Sequence, residues 1–524
     1  MEKKNLHVNI IFFIILLIFS TSINFYYGNI GVFPIDTFAF FDTAYSILLN
    51  KHPFKDVWIT TGPLVDYIQA FFFKLFGANW FSYLLHSSLF NFLITITIFF
   101  TLKELGLGSN YSFLYSLSVA TLCYPIAGTP FAYQHAFIFS IISLMLLFLS
   151  IKTKSNFFWF LLPIVMTLAF LSMHVPSSYV NLVIIFFILI YFFFNLNFLR
   201  IVSFLFGALF ILSIIIFFFL YFEIPIIKFV QQYILFPLSV GEYRILNPDY
   251  DFSLGANFTF RRIIGHFKFI HIFLLFIIVS ITFSLIKKKI IFSKDDLIIY
   301  ASMVFSTIFL IFHQLITANQ TFIFSIIPIL AGISHIIMVK HISKKKIYHL
   351  IILFLVVVAT IKYHVEYNEK RKFMDLQNTD LSKAVNANLI DKKFRNLKWI
   401  NPFFPGSPEE EINLLKEIIQ KIKNDNRKKM VITHYQFFSI ILEEDLNIPN
   451  RWYLANASHP IKDHKYHKYY QDHFKKKIQQ NNISVIYVVG PIQIKDFEIY
   501  IDEFCFEKKE INSISSVIEL KECE

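Results

Sequence analysis

Charge is scarce in this chain. Asp, Glu, Lys and Arg together make up 16% of its 524 residues, whereas hydrophobic residues make up 56% and phenylalanine alone occurs 67 times. That balance excludes an ordinary soluble enzyme and makes the bilayer the expected solvent. No small-residue cleavage site follows the first apolar run, so the Lys3-Lys4 start reads as the flank of an uncleaved first helix and not as a signal peptide. No internal repeat relates two halves of the chain, which argues against a transporter or lipid flippase. Cysteine is limited to three residues. Cys123 falls within or at the end of a predicted span, while Cys505 and Cys523 lie in the exported C-terminal part, where an oxidising compartment permits a disulfide.

What is present is a long series of apolar runs, near 8–24, 80–101, 111–126, 131–151, 156–173, 178–198, 201–222, 269–286, 297–316, 320–339 and 347–364. Each approaches the roughly 20 residues that a helix needs to cross the hydrocarbon core. The expectation is a polytopic α-helical membrane protein with about 11 transmembrane helices. If those spans alternate, Lys3-Lys4, Lys103, Lys152 with Lys154, Arg200, Lys287–Lys289 and Lys344–Lys346 all fall on one face, which the positive-inside rule makes cytoplasmic. The net charge of +12 therefore reads as a topology signal, and nucleic acid is not an expected partner. The same alternation puts a first loop, 25–79, a second, 223–268, and everything after the transmembrane body 1–365 on the outer side, with the N-terminus inside.

The first outer loop concentrates the unusual chemistry. Its segment FPIDTFAFFDTAYSILLNKHPFKDVWITTGPL sets Asp36, Asp42 and Asp56 among aromatics and ends at Gly62-Pro63. Ionised carboxylates lose hydration beside hydrocarbon, so such a cluster points to a site at the outer membrane face. The stretch LVDYIQAFFFKLF from Leu64 to Phe76 suits a helix lying on the membrane surface, interrupted by Asp66, Gln69 and Lys74.

After about residue 366 the composition turns to Lys, Glu, Asp and Asn, and the remaining residues to 524 suffice for one small extracytoplasmic α/β domain. Acidic residues open 408–424, Lys closes it and Ile/Leu recur at helical spacing, which predicts a helix. MVITHY at 430–435 and SVIYVVG at 484–490 read as strands. His459, His464, His467 and His473 alternate with Lys without tight ligand spacing and read as a solvated surface.

The order of a first span, an acidic outer loop, GPLVDYIQAFFFKLFG and a long series of spans resembles the GT-C superfamily of membrane glycosyltransferases, especially the bacterial relatives of protein O-mannosyltransferases and aminoarabinose transferases. Asp36, eight residues before Ala44, matches the family's first-loop Asp, with Thr37 where a Glu often stands. Gly62-Pro63-Leu64 and Phe76-Gly77 match the later pattern, whereas Met173-His174 and Gln134-His135 depart from the Lys and the acidic residue that relatives often carry there. The resemblance implies a GT-C-like fold in a bacterial inner membrane. It also implies transfer of a hexose or pentose from a polyprenyl-phosphate donor to a lipid, glycan or protein acceptor of the cell envelope. Asp36 would be the general base and Asp42 a supporting catalytic group. The alternatives are a transporter or flippase and a polysaccharide polymerase or ligase.

A phosphate-linked donor needs cations or polar donors. Arg244, Arg261, Arg262 and His266 sit among aromatics of the second outer loop, and His174, His313 and Gln320 stand where spans meet the outside. Together with Asp56 they are the expected substrate-binding set. The first loop has no Asp-x-Asp, and Asp249-Tyr250-Asp251 offers too few oxygens for a hard cation, so neither a metal nor another cofactor is expected.

Overall fold

The computed structural model describes residues 2–124, 128–246, 259–287, 292–317, 322–342, 345–370, 376, 379–490, 492, 495–502 and 504–521. The chain begins with α1 (Glu2–Gly28), after which α2 (Pro34–Thr37), α3 (Phe41–Leu48) and α4 (Leu64–Phe76) occupy the first loop. The bundle continues through α5 (Trp80–Glu104), α6 (Ser109–Leu122), α7 (Ala132–Thr153), α8 (Asn156–Ser172), α9 (His174–Phe194) and α10 (Phe198–Tyr221). Past the second loop, with α11 (Ile226–Phe229) and α12 (Phe236–Leu246), it resumes as α13 (Lys268–Lys287), α14 (Lys294–Ile316), α15 (Ile326–Ile337) and α16 (Lys346–His364).

Helices stand at all eleven expected positions, but among the described residues nine are long and apolar enough to cross a membrane. The other two, α6 and α8, have 14 and 17 residues. Central α7 packs on α5, α8 and α9, and 89% of its apolar stretch is buried, against 11% for α10, which leans on α8 and turns its Leu and Phe side chains outward. A helix apolar on every face is stable in that setting only with lipid or protein all around it. Two close approaches fix the bundle to the first loop. A Cβ on Gly128, whose φ is +70°, would lie 2.2 Å from the Gly28 Cα, and one on Gly62 would lie 1.7 Å from the Leu171 carbonyl oxygen.

Beyond the bundle, β1 (Val385–Asn386) pairs with β2 (Lys398–Trp399), and a second sheet has the order β3-β4-β6-β5. Strands β3 (Lys429–Thr433) and β4 (Val485–Val489) run parallel and are buried along their whole length, as their unbroken apolar runs demand. The hairpin of β5 (Cys505–Asn512) and β6 (Ser515–Lys521) completes the sheet antiparallel. Helix α17 (Pro408–Asn424) has Pro at its start, three Glu in the first turn and Lys in the last, in keeping with its dipole. Helices α18 (Phe438–Leu442) and α19 (His467–Gln480) follow.

This C-terminal part packs directly on the first loop. Gly31 and Val32 donate to the carbonyls of Lys398 and Ile400, so the exit of α1 runs alongside β2. The Phe38 ring lies 5.0 Å from Phe437 and 5.8 Å from Trp399, inside a core that also holds Phe41, Trp80 and Phe394. Each such ring, taken fully out of water, contributes about 1.5–3 kcal/mol.

The histidines expected on a solvated surface are instead packed. His459 is buried against Tyr470 and Phe497, and His464 hydrogen-bonds Ser239 of α12 at 3.1 Å. Aromatic neighbours brought in by the fold cover them. Cys505 is disulfide-bonded and Cys123 is a free buried thiol, while Cys523 lies outside the described residues.

Candidate active site

Pro34 opens α2 with its fixed φ, and the single turn that follows carries Asp36, whose N–H donates to the Phe33 carbonyl at 3.0 Å. A residue 417 positions later secures this turn: the Trp452 indole N–H donates to the Ile35 carbonyl at 2.9 Å. The Trp452 ring meets Phe40 edge-on at 6.1 Å and Phe131 at 6.4 Å. Phe131 continues to Tyr133 at 5.8 Å, and Tyr133 to His313 at 5.7 Å. An aromatic rim thus links the half-exposed Asp36 turn to His313 at the end of α14.

Asp42 stands elsewhere. It is fully buried beneath α18, where its two carboxylate oxygens accept from the backbone N–H groups of Ser439 and Ile440, both at 3.1 Å. Burial pushes its carboxyl up to about 7, with those N–H groups opposing. Asp56 is half-exposed and closes its own turn by accepting from the His52 N–H at 2.8 Å.

The carboxylate that the loop buries most purposefully is Asp66, in the first turn of α4. It accepts from the Thr43 hydroxyl at 2.6 Å and pairs with Arg451, and neither side chain is more than 1% exposed. Arg451 also donates to the Thr61 hydroxyl, and its guanidinium lies 4.3 Å from the centre of the Phe40 ring. A planar cation held by a carboxylate, a hydroxyl and an aromatic face is satisfied on several sides, which is what makes its burial tolerable. The sequence gives no local sign of this pair, because its members are 385 residues apart.

The expected cationic set is spread over several places. The His174 ring packs edge-on against Tyr233 at 5.1 Å, and Tyr233 donates to the Phe170 carbonyl. Arg261 is exposed and Arg262 half-exposed in the turn before α13. His266 packs on Phe324 at 5.1 Å, and its carbonyl accepts from the Tyr363 hydroxyl at 2.8 Å. The backbone of Arg244 belongs to α12, but its side chain, like Gln320, lies outside the described residues. Of the expected residues, the described contacts therefore join the turn that carries Asp36 to His313 along one rim, and leave Asp42 and Asp56 in separate surroundings. Among the described residues no group of three or more His, Cys, Asp or Glu is placed to hold a metal ion, and Asp249 and Asp251 lie outside them.

No protein-family model matches the sequence, and no curated protein matches it significantly. Solved structures do match in fold. The crystal structure of ArnT from Cupriavidus metallidurans bound to undecaprenyl phosphate has a TM-score of 0.52 at 10% identity, covering 96% of this chain and 97% of that one. Its apo state gives 0.51 at 10% identity, covering 98% of each. The Archaeoglobus fulgidus oligosaccharyltransferase in complex with Zn and sulfate matches at 0.41 and 11% identity, over 95% of this chain and 72% of that one. Since first loop, helix bundle and C-terminal sheet all fall within the full-length correspondence to ArnT, this chain is a multi-pass membrane protein with the GT-C fold.

Proposed function

We propose that this protein is a membrane glycosyltransferase that moves a sugar from a polyprenyl-phosphate donor to a hydroxyl of a lipid, glycan or protein acceptor, with Asp36 as general base. The observation that carries the reading is the full-length likeness in fold to a protein crystallised with undecaprenyl phosphate; in this chain Asp36 stands on a half-exposed turn held by Trp452. Asp42 and Asp66 are fully buried and engaged by backbone amides and by Arg451, and Asp56 closes a turn of its own. Asp36 is instead half-exposed, on a turn beside an aromatic rim of the kind that accommodates a sugar face and a prenyl chain.

In the reaction the acceptor O–H gives its proton to Asp36, the oxygen attacks the anomeric carbon, and the sugar–phosphate bond breaks to release polyprenyl phosphate. His313 on the rim would contact the sugar, and His174, Arg244, Arg261, Arg262, His266 and Gln320 remain the candidates for holding the phosphate. Asp42 acts as a structural cap in this reading. The Lys clusters support a bacterial inner-membrane orientation with the N-terminus cytoplasmic and 366–524 outside, so that transfer occurs on the outer face.

The test compares lipid and surface-glycan mass profiles of wild-type, Asp36→Asn and deletion strains. Both altered strains are expected to lose the same sugar from a glycan and to accumulate the polyprenyl-phosphate sugar. A normal profile in Asp36→Asn, with the variant at wild-type abundance in the membrane, removes the catalytic assignment.

A further inference from the structure

A second concentration of charge lies at the far end of α10, away from Asp36. Segment 51–56 is surrounded by cations from three parts of the chain. Lys55 donates to the Phe222 carbonyl at 3.2 Å, Lys228 of α11 donates to the Lys55 carbonyl at 3.2 Å, and Lys477 of α19 donates to the Asp56 carbonyl. Lys51 pairs with Asp445 at 3.7 Å and Lys55 with Glu223 at 3.3 Å. Lys228, Lys476 and Lys477 make no ion pair among the described residues, and the carboxylate that acts on both Lys228 and Lys477 is Asp56. Positive charge is left over. Burial holds the Lys228 ammonium below its usual range and brings Lys477 down to about 8, with neighbouring lysines adding to both shifts.

What lies beneath this cluster is equally specific. Leu220, Tyr221, Ile226 and Ile227, on the α10–α11 elbow that carries Lys228, are exposed and apolar. Phe54, Phe219, Ile224 and Tyr233 form one buried cluster with Phe170 and Phe222 packed against it. Phe170 in turn lines an open apolar groove of about 420 Å³ between α8, α9 and α10, together with Pro163, Met166, Asn181, Ile185 and Phe204. From Phe170 to Pro163 the groove descends α8 by about 10 Å at 1.5 Å per residue. Unpaired ammonium groups at the end of a membrane helix, above a groove at hydrocarbon depth, match the two ends of a single ligand: an anionic head and an apolar chain.

We propose that Lys228, Lys476 and Lys477, with the groove between α8, α9 and α10, form a binding site for an anionic phospholipid of the surrounding leaflet, separate from the Asp36 turn. The buried Trp58–Arg451 layer stands in the contact chain between the two places: Trp58 donates to the Pro449 carbonyl, and Arg451 donates to the Trp58 carbonyl. The site does not depend on the transferase reading, and its test needs no turnover.

The experiment uses purified full-length protein, native mass spectrometry and two probes, phosphatidylglycerol and phosphatidylcholine, with undecaprenyl phosphate as a third. Wild type is expected to retain phosphatidylglycerol selectively. Lys228→Gln/Lys476→Gln should lower that affinity by about ten- to thirtyfold, as expected for losing two cations near an anionic headgroup. Leu189→Trp, at an exposed groove position, should displace the lipid while the lysines of the cluster all remain. Melting temperatures in lipid-free detergent should stay at the wild-type value for both variants. Equal retention of the anionic and zwitterionic lipids by wild type overturns the proposal, as does unchanged retention in both variants. If the lysine variant loses undecaprenyl phosphate but keeps phosphatidylglycerol, the surface serves a polyprenyl phosphate and the proposal is likewise overturned.

Discussion

Removing Arg451 tests how the first loop and the C-terminal sheet are joined. In Arg451→Met the apolar stem is largely kept but the guanidinium over the Phe40 ring is lost, and Asp66 stays fully buried with the Thr43 hydroxyl as its remaining partner. Breaking one side of a buried pair costs about 3–5 kcal/mol, chiefly because the other charge is stranded. For a cooperative unit of about 200 residues, the size of the first loop and C-terminal part together, that corresponds to a fall in melting temperature of order 10 °C. Asp66→Leu should cost a similar amount by stranding the guanidinium, with the Thr61 hydroxyl still accepting one of its N–H groups. The double variant Arg451→Met/Asp66→Leu should recover most of the loss, since an apolar pair of like volume is close to neutral. Thermal unfolding of the four proteins, followed by fluorescence-detected size exclusion, measures the cycle. If either single variant melts within about 2 °C of wild type, or if the two losses add in the double variant, Asp66 and Arg451 do not stabilise the fold as a coupled pair.

Trp452→Phe keeps the ring contacts with Phe40 and Phe131 but removes the hydrogen bond to Ile35, so kcat should fall about five- to tenfold at nearly unchanged melting temperature and donor KM; an unchanged kcat would show that the Asp36 turn holds itself. Asp42 has a carboxyl raised from 3.8 to about 7 in the folded protein, so the folded state binds the extra proton in that window and stability should fall as pH rises from about 4 to 7, by roughly 4 kcal/mol, and then level off. Asp42→Asn should flatten that dependence, and melting curves between pH 5 and 8 that keep the wild-type slope would refute it. Gly62→Ala should abolish accumulation of folded protein because its Cβ has no room beside Leu171, whereas Gly241→Ala, with open space around it, should melt at or above the wild-type temperature.

Some of this architecture could be read directly from the residues. Pro408, the three glutamates after it and the Ile/Leu spacing predict a helix over 408–424, and the structure has it there, because every cue lies within one turn of where it acts. Likewise Met430–Thr433 and Val485–Val489 are β-branched runs that must be covered on both faces, and they are. The apolar runs predicted eleven helices, yet hydropathy could not say that α6 would have 14 residues and α8 17. Strand β5 escaped because it lies at the edge of the sheet with Glu507, Lys508, Lys509 and Glu510 exposed on both faces, which removes the alternation that marks a strand. The contacts that hold the candidate site were illegible for a different reason. Trp452 to Ile35, Arg451 to Asp66 and Asp42 to Ser439 join residues 417, 385 and 397 positions apart, and no local pattern encodes a partner at that distance.

Those long separations give the protein an order of completion. A ribosome has made the Asp36 turn after less than a tenth of the chain, but the tryptophan that fastens it arrives 417 residues later. Until then Phe38, Phe41 and Asp66 have no C-terminal surface to close over them. A nascent or truncated chain with every helix already inserted would therefore lack a fastened Asp36 turn. The candidate centre forms only once the chain has been made as far as Trp452, which couples it to folding of the C-terminal part against the first loop.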